Sequence, residues 1–249
     1  MRVGVLEILT DSVSHGWVVR NYDSRFRRQY ASIMPQAVSV WCQQLGHEVH
    51  YATYYGQSPP ESLIPAELDV LFLSTYTQAS ALAYALARLY SRRGTTTVLG
   101  GPHATSFPTD SLRFFDFVVH DCDKEVVAGI LRGDFEPGSV VSSGHILEDL
   151  PSVEERMPQI VKASFVRGTP ARLSNVPMLT SLGCPYRCDY CSLLHSGKVY
   201  RRRDPHKIVD EYEHLVETYG VKRVYIAFRR DRAGDTAAGM FGAELNGLG

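Results

Sequence analysis

Residues 70–99 read VLFLSTYTQASALAYALARLYSRRGTTTVL, and their order decides the fold. Val70–Ser74 and Thr97–Leu99 are short apolar runs of the length and composition of buried strands, and Ala79–Tyr90 between them carries a helical pattern. The same alternation extends upstream through Val3–Leu9, Ile33–Leu45 and Val49–Thr53, and downstream through Phe115–His120 and Lys124–Arg132. Five strands with interleaved helices predict an α/β domain built on a doubly wound, five-stranded parallel sheet. In such sheets ligands bind beyond the C-terminal strand ends. The loops expected to line that edge are Thr10–Gly16, Ser74–Gln78, Gly100–Thr105 and His120–Lys124.

Local signals agree with this order. Ile33, Ala37, Val38, Trp41, Cys42 and Leu45 fall on one helical face with Gly46 as the stop, which makes Cys42 a core residue. Lys124–Arg132 ends at Gly133 by the same logic. From Asp134 to Asn175 the alternation lapses and Pro137, Gly138, Gly144, Pro151, Pro158 and Pro170 accumulate, the composition of a connector. A second βαβ unit follows: strand Val176–Leu182, helix Pro205–Tyr219 and strand Val221–Phe228. Asp204 is the expected N-cap, Pro205 the first helical residue, Gly220 the stop, and Ile208, Val209, Tyr212, Leu215, Val216 and Tyr219 the apolar face. The domain division read from this is 1–135, a connector at 136–175, and 176–249. Arg229–Gly249 has no period.

At 249 residues and 44% hydrophobic content the chain can bury a full core. A net charge of −1 argues against nucleic acid as the main partner. Met1–Leu9 is too short, and with Glu7 too charged, for a signal peptide or membrane span; it reads as a buried first strand. Five cysteines, an odd count with three of them clustered, do not make a disulfide framework, so a reducing cytoplasm is the expected compartment.

The clustered three are Cys184, Cys188 and Cys191 in CPYRCDYC, directly behind an apolar strand. Pro185, Arg187 and Asp189 argue against a buried helical stripe. A [4Fe–4S] cube normally takes four thiolates, so three in one loop leave one iron open to substrate. A zinc site completed by His195 is the competing metal reading, though no second pair of ligands follows.

At these residues the chain resembles the radical S-adenosylmethionine superfamily, whose pattern is Cys-x3-Cys-x2-Cys with an aromatic before the last cysteine, here Tyr190. The resemblance implies a [4Fe–4S] cluster on Cys184, Cys188 and Cys191, with S-adenosylmethionine chelating the open iron and Tyr190 near its adenine. It further implies reductive cleavage to a 5′-deoxyadenosyl radical, an electron donor such as flavodoxin or ferredoxin, and a partial (β/α) barrel beginning at the strand before the cysteines.

Upstream, Gly100-Gly101-Pro102-His103-Ala104-Thr105 resembles the GGPHAT loop of cobalamin-binding domains that precede such barrels. By that resemblance Gly100, Gly101, Pro102 and His103 would contact cobalamin, with Ser74 and Thr75 against its nucleotide tail. Thr10–Gly16 departs from the D-x-H-x-x-G pattern that supplies a lower cobalt ligand in the methionine-synthase type, so neither His15 nor His103 is assigned to cobalt. Arg201, Arg202 and Arg203 read either as a solvated face or as a substrate-anion contact, and Ser192 and His195 receive no role. The implied function is cobalamin-dependent radical methyl transfer to an unreactive carbon. The alternatives are a ring or skeleton rearrangement, an inactive corrinoid-binding fragment with a cluster arm, and a zinc-stabilised fragment. The family barrel needs more βα units than Val176–Phe228 supplies, so a truncated product or a separately encoded remainder is expected.

Overall fold

Along the first strand, β1 (Arg2–Ile8), Val3 and Val5 turn to one face and Leu6 and Ile8 to the other, all at most 1% exposed. Both faces of this strand are therefore covered, which is why it reads as an unbroken apolar run. The structure, a computed structural model, describes residues 1–9, 32–56, 58–144, 147, 149–163, 165–166, 169–170, 175–182, 201–221 and 223–227. In it β1 is joined by β2 (Glu48–Tyr54), β3 (Val70–Thr75), β4 (Thr96–Gly100), β5 (Phe117–Asp121) and β6 (Ser139–Ser142). They form one parallel sheet in the order β2-β1-β3-β4-β5-β6.

The helices of this part are α1 (Ile33–Gln44), α2 (Ser80–Ser91), α3 (Pro102–Ser106), α4 (Pro108–Ser111) and α5 (Lys124–Arg132). Trp41 of α1 and Val127 and Ile130 of α5 pack on Val3, Val5, Val98 and Val119. On the opposite face Leu86, Ala87 and Tyr90 of α2 cover Leu71, Leu73 and Leu99. Asp123 caps α5 by accepting from the Val126 amide at 2.9 Å, and Gly133 ends it at φ +80°.

The sheet has six strands rather than five. The additional strand, β6, lies in the stretch read as a connector. It is an edge strand of four residues with one buried side chain, Val141, so it presents too short an alternation to register in the sequence. The same stretch also forms α6 (Met157–Ala163) and the two-residue pair β7 (Phe165–Val166) and β8 (Thr169–Pro170).

The second unit consists of β9 (Asn175–Leu179), β10 (Ser181–Leu182), β11 (Arg201–Arg202), α7 (Pro205–Tyr219) and β12 (Arg223–Ala227). β9 and β12 pair in parallel, and Leu215 of α7 is fully buried against Val176, Met178, Val221 and Val224. The Asp204 carboxylate caps α7 through the His206 amide, and Gly220 ends it at φ +60°. The expected apolar face is only partly covered. Ile208, Tyr212, Leu215 and Tyr219 join the core, while Val209 and Val216 stay 52% and 38% exposed because the helix turns a narrower stripe toward the two strands.

Arg156 joins the two parts. It is 1% exposed and donates Nη1 to Gln36 Oε1 of α1 at 2.9 Å, Nε to the Pro151 carbonyl at 3.1 Å and Nη2 to the Pro177 carbonyl of β9 at 3.2 Å. Within the second unit Arg203 donates to the Leu179 carbonyl at 3.1 Å while pairing with Glu211 at 2.9 Å. The Glu211 carboxylate also accepts from the Val153 amide.

Glu7 is the one acid within β1. It is 1% exposed, takes the Ser32 amide on Oε1 at 2.8 Å, and has no hydrogen-bond partner for Oε2 among the described residues. Burial raises its carboxyl to about 7. A folded-state pKa above the unfolded one stabilises the fold below the unfolded value, and that contribution is lost as pH rises through the folded one. Wild-type protein will therefore lose roughly 2–3 kcal/mol more unfolding free energy than Glu7→Gln between pH 4.5 and pH 8. Urea titrations of both proteins across that range measure the difference, and parallel curves would refute it.

Candidate functional site at the C-terminal edge of the sheet

Parallel pairing sets Ser74 of β3 opposite Gly100 of β4, so the two strands end side by side. The chain then turns at Gly101, whose φ is +89°. A Cβ at this position would stand 2.8 Å from Ser74 Oγ and 3.1 Å from both the amide nitrogen and the carbonyl oxygen of Thr75. Only glycine permits both the backbone angle and the approach. Pro102 then opens α3. Ser74, Thr75, Gly100, Gly101, Pro102 and His103, which the sequence places in two separate loops, thus form one continuous edge.

The groups along this edge differ in exposure. Thr75 and His103 are buried, while Tyr76 and Phe107 are 47% and 48% exposed at either end of the loops. The His103 ring lies 5.2 Å from the Phe107 ring. Its Nε2 meets the Tyr84 hydroxyl at 2.7 Å and its Nδ1 the Thr77 hydroxyl at 3.3 Å. Burial lowers the His103 pKa, which keeps the imidazole neutral at pH 7. Tyr84 also donates to Asp110 Oδ2 at 2.8 Å. Behind the loop, His120 Nε2 donates to the Thr105 carbonyl at 2.9 Å and ties α3 to β5.

Tyr84, Asp110 and His120 were not assigned from the sequence. Tyr84 lies beside the buried stripe of α2 formed by Ala83, Leu86, Ala87 and Tyr90, and nothing in the spacing separates it from a core aromatic. In the loop after β5, Asp123 caps α5, Lys124 donates to Gln44 at 2.8 Å, and burial raises the Cys122 thiol. Cys42 is fully buried, its thiol pushed up to about 12 by burial, in keeping with a core residue.

Cys184, Cys188, Tyr190 and Cys191 lie outside the described residues, as do His15, Ser192 and His195. The structure does define what carries the cysteine segment. β10 and β11 pair antiparallel, Ser181 with Arg202 and Leu182 with Arg201, so residues 183–200 leave and return at one point. The Arg203 amide donates to the Thr180 carbonyl at 3.0 Å and closes this neck. Of the basic run, Arg203 is neither a solvated residue nor a free anion contact, because its guanidinium is occupied by Glu211 and Leu179. Leu179, at the end of β9, packs with Ile33 and Leu147, which brings the neck beside the first turn of α1. Among the described residues no three His, Cys, Asp or Glu side chains group as a metal site, and no helix is long and apolar enough to cross a membrane.

The six-stranded parallel sheet with helices on both faces and a glycine loop at its C-terminal edge defines a Rossmann-like α/β protein. No protein-family model matches the chain. It is 27% identical over 155 residues to a bacteriochlorophyllide d C-8(2)-methyltransferase of Chlorobaculum tepidum, a match covering 59% of this chain and 33% of that protein. To an uncharacterized methyltransferase of Pyrococcus horikoshii it is 26% identical over 176 residues, 63% of this chain and 38% of the other. A stretch of 39 residues is 51% identical to an anaerobic magnesium-protoporphyrin IX monomethyl ester cyclase of Cereibacter sphaeroides, 16% of this chain and 6% of that protein. The chain spans about a third of the length of the two methyltransferases.

Gly101→Ala tests the edge itself. With φ at +89° and Ser74 and Thr75 in the way, it will cost about 1–3 kcal/mol of stability. Gly46→Ala has an equally strained angle of +84° but nothing within 4 Å of its added Cβ, and will cost less. Thermal unfolding of the two variants compares them directly.

Proposed function

We propose that this chain serves S-adenosylmethionine-dependent methyl transfer of the radical type, holding a corrinoid at the edge formed by Ser74, Thr75 and Gly100–His103 and a [4Fe–4S] cluster on Cys184, Cys188 and Cys191. The observation that carries the reading is the pairing of two features in one chain. A glycine loop closes against Ser74 and Thr75 at the end of a parallel sheet, and a three-cysteine segment springs from a neck pinned by β10, β11 and Arg203. Support for methyl transfer over ring closure or rearrangement comes from coverage, since the methyltransferase matches span 59% and 63% of this chain and the cyclase match 16%.

The residues present fit both groups. Gly100, whose added Cβ would meet only the Leu73 carbonyl at 4.0 Å, leaves backbone open to a large ligand, Tyr76 and Phe107 offer exposed aromatic surface beside it, and three thiolates would match three corners of a cube. Bound there, the cluster and corrinoid would supply one-electron reduction of S-adenosylmethionine and carriage of a methyl group. The chain's own part is to orient. Gly101 sets the loop angle, Arg203 fixes the base of the cysteine segment, and the Leu179 contact with Ile33 keeps that base close to the sheet. Flavodoxin or ferredoxin is the class of donor such chemistry needs, and bacteriochlorophyllide, named for one relative, is the first substrate to offer.

A second reading has an observation of its own. Because the chain spans about a third of the methyltransferases' length, it could bind both cofactors and still lack turnover by itself. Anaerobic reconstitution separates these outcomes. The full reading expects about four irons and four sulfides per chain, lost in Cys184→Ala, together with hydroxocobalamin binding and reductive release of 5′-deoxyadenosine. Cofactor binding without 5′-deoxyadenosine supports the second reading, and zinc in place of iron removes the cluster from both.

A further inference from the structure

The loop that would meet the corrinoid is itself held from behind, by a chain of polar contacts in three helices. Asp110 of α4 is paired with Arg113 at 3.2 Å, and its other carboxylate oxygen accepts from the Tyr84 hydroxyl of α2 at 2.8 Å. A carboxylate only accepts, and a phenol has one proton, so that proton points at Asp110. The contact of 2.7 Å between Tyr84 and His103 Nε2 then requires the imidazole to be the donor. His103 is thereby held as the Nε2–H tautomer, and its Nδ1 is left to accept from Thr77 at 3.3 Å. Both ring nitrogens are engaged inside the protein and the residue is 4% exposed. The Tyr84 ring is in turn fixed by stacking on Phe114, centroids 4.1 Å apart at 12°.

We propose that His103 does not touch the ligand but acts as a positioning residue, the inner end of an Asp110–Tyr84–His103 relay that sets the angle of the Gly100–Pro102 backbone at the sheet edge. The inference rests on the corrinoid reading above and narrows it, since it removes one expected contact residue from the ligand and adds two residues that the ligand never reaches. Its physical basis is that α3 has only five residues and cannot hold itself in place. The short helix is secured on one side by His103 through Tyr84 and on the other by the Thr105 carbonyl through His120.

The test uses the full chain and hydroxocobalamin, titrated by absorbance. Tyr84→Phe keeps the stack on Phe114 and loses only the hydroxyl, so it should melt as a folded protein yet bind about threefold to tenfold more weakly. Asp110→Ala should weaken binding similarly, and Asp110→Asn, which retains an acceptor oxygen, should recover most of the loss. Long-range proton–nitrogen NMR of the imidazole should show the proton on Nε2 in the wild type and a changed tautomer balance in Tyr84→Phe. Wild-type binding with unaltered affinity in Tyr84→Phe and Asp110→Ala overturns the relay, as does a proton found on Nδ1. Loss of a nitrogen coupling from the Co(II) EPR signal in His103→Asn, read after chemical reduction of the bound hydroxocobalamin to cob(II)alamin, would overturn it too, by making His103 a direct ligand. A wild-type chain that never binds hydroxocobalamin is a different result, which defeats the corrinoid reading and the relay's ligand role with it.

Discussion

The buried guanidinium of Arg156 ties the two halves of this molecule together at the centre of their junction. A cation at 1% exposure is costly unless it is hydrogen-bonded, and each of the three guanidinium nitrogens of Arg156 donates one bond, to Gln36, Pro151 and Pro177 on three separate segments. Burial lowers its pKa only to about 10, so it stays charged at neutral pH. Arg203 repeats the arrangement two residues further along β9, at Leu179, with Glu211 as counter-ion. Alternate carbonyls of the strand are thus taken by side chains on the edge that has no neighbouring strand among the described residues. Pro177, which has no amide proton to offer a ladder, fits at such an edge.

This junction sets the end of β9 beside the sheet. α1 follows the C-terminal end of β1, and its first residue, Ile33, packs on Leu179 where β9 ends. The cysteine segment therefore starts near the same end of the sheet at which Gly101 closes on Ser74 and Thr75. The held loop behind that edge, with Tyr84 and His120 gripping α3 from two sides, follows the same economy of design: a short element is positioned by polar contacts to larger ones. Glu7 shows that even β1 carries a group whose ionisation burial controls.

Much of this was legible in the order of residues. Alternating apolar runs and helical stripes announce a parallel α/β sheet because strands covered on both faces must be apolar throughout. Asp204 and Pro205 before α7, Gly133 after α5 and Gly220 after α7 mark boundaries that the structure reproduces, because caps act within a few residues of themselves. The glycine loop and the cysteine spacing are likewise local patterns. The edge strand β6 escaped notice because four residues hold too little alternation. Helical spacing puts Val209 and Val216 on the apolar face of α7 but does not fix how wide a stripe its neighbours cover, and both stay exposed.

The sequence by itself determined five strands of the main sheet, the helices that cover it, their order and the chemistry of the residues at the loops, since all of these depend on interactions between near neighbours in the chain. Only the tertiary structure decided which groups meet across distance: Arg156 with Gln36 and Pro177, Arg203 with Glu211, and Tyr84 with His103 and Asp110. Such contacts join residues whose separation along the chain carries no signal. Their partners are selected by burial, where a polar group that finds no hydrogen bond costs more than one left in water.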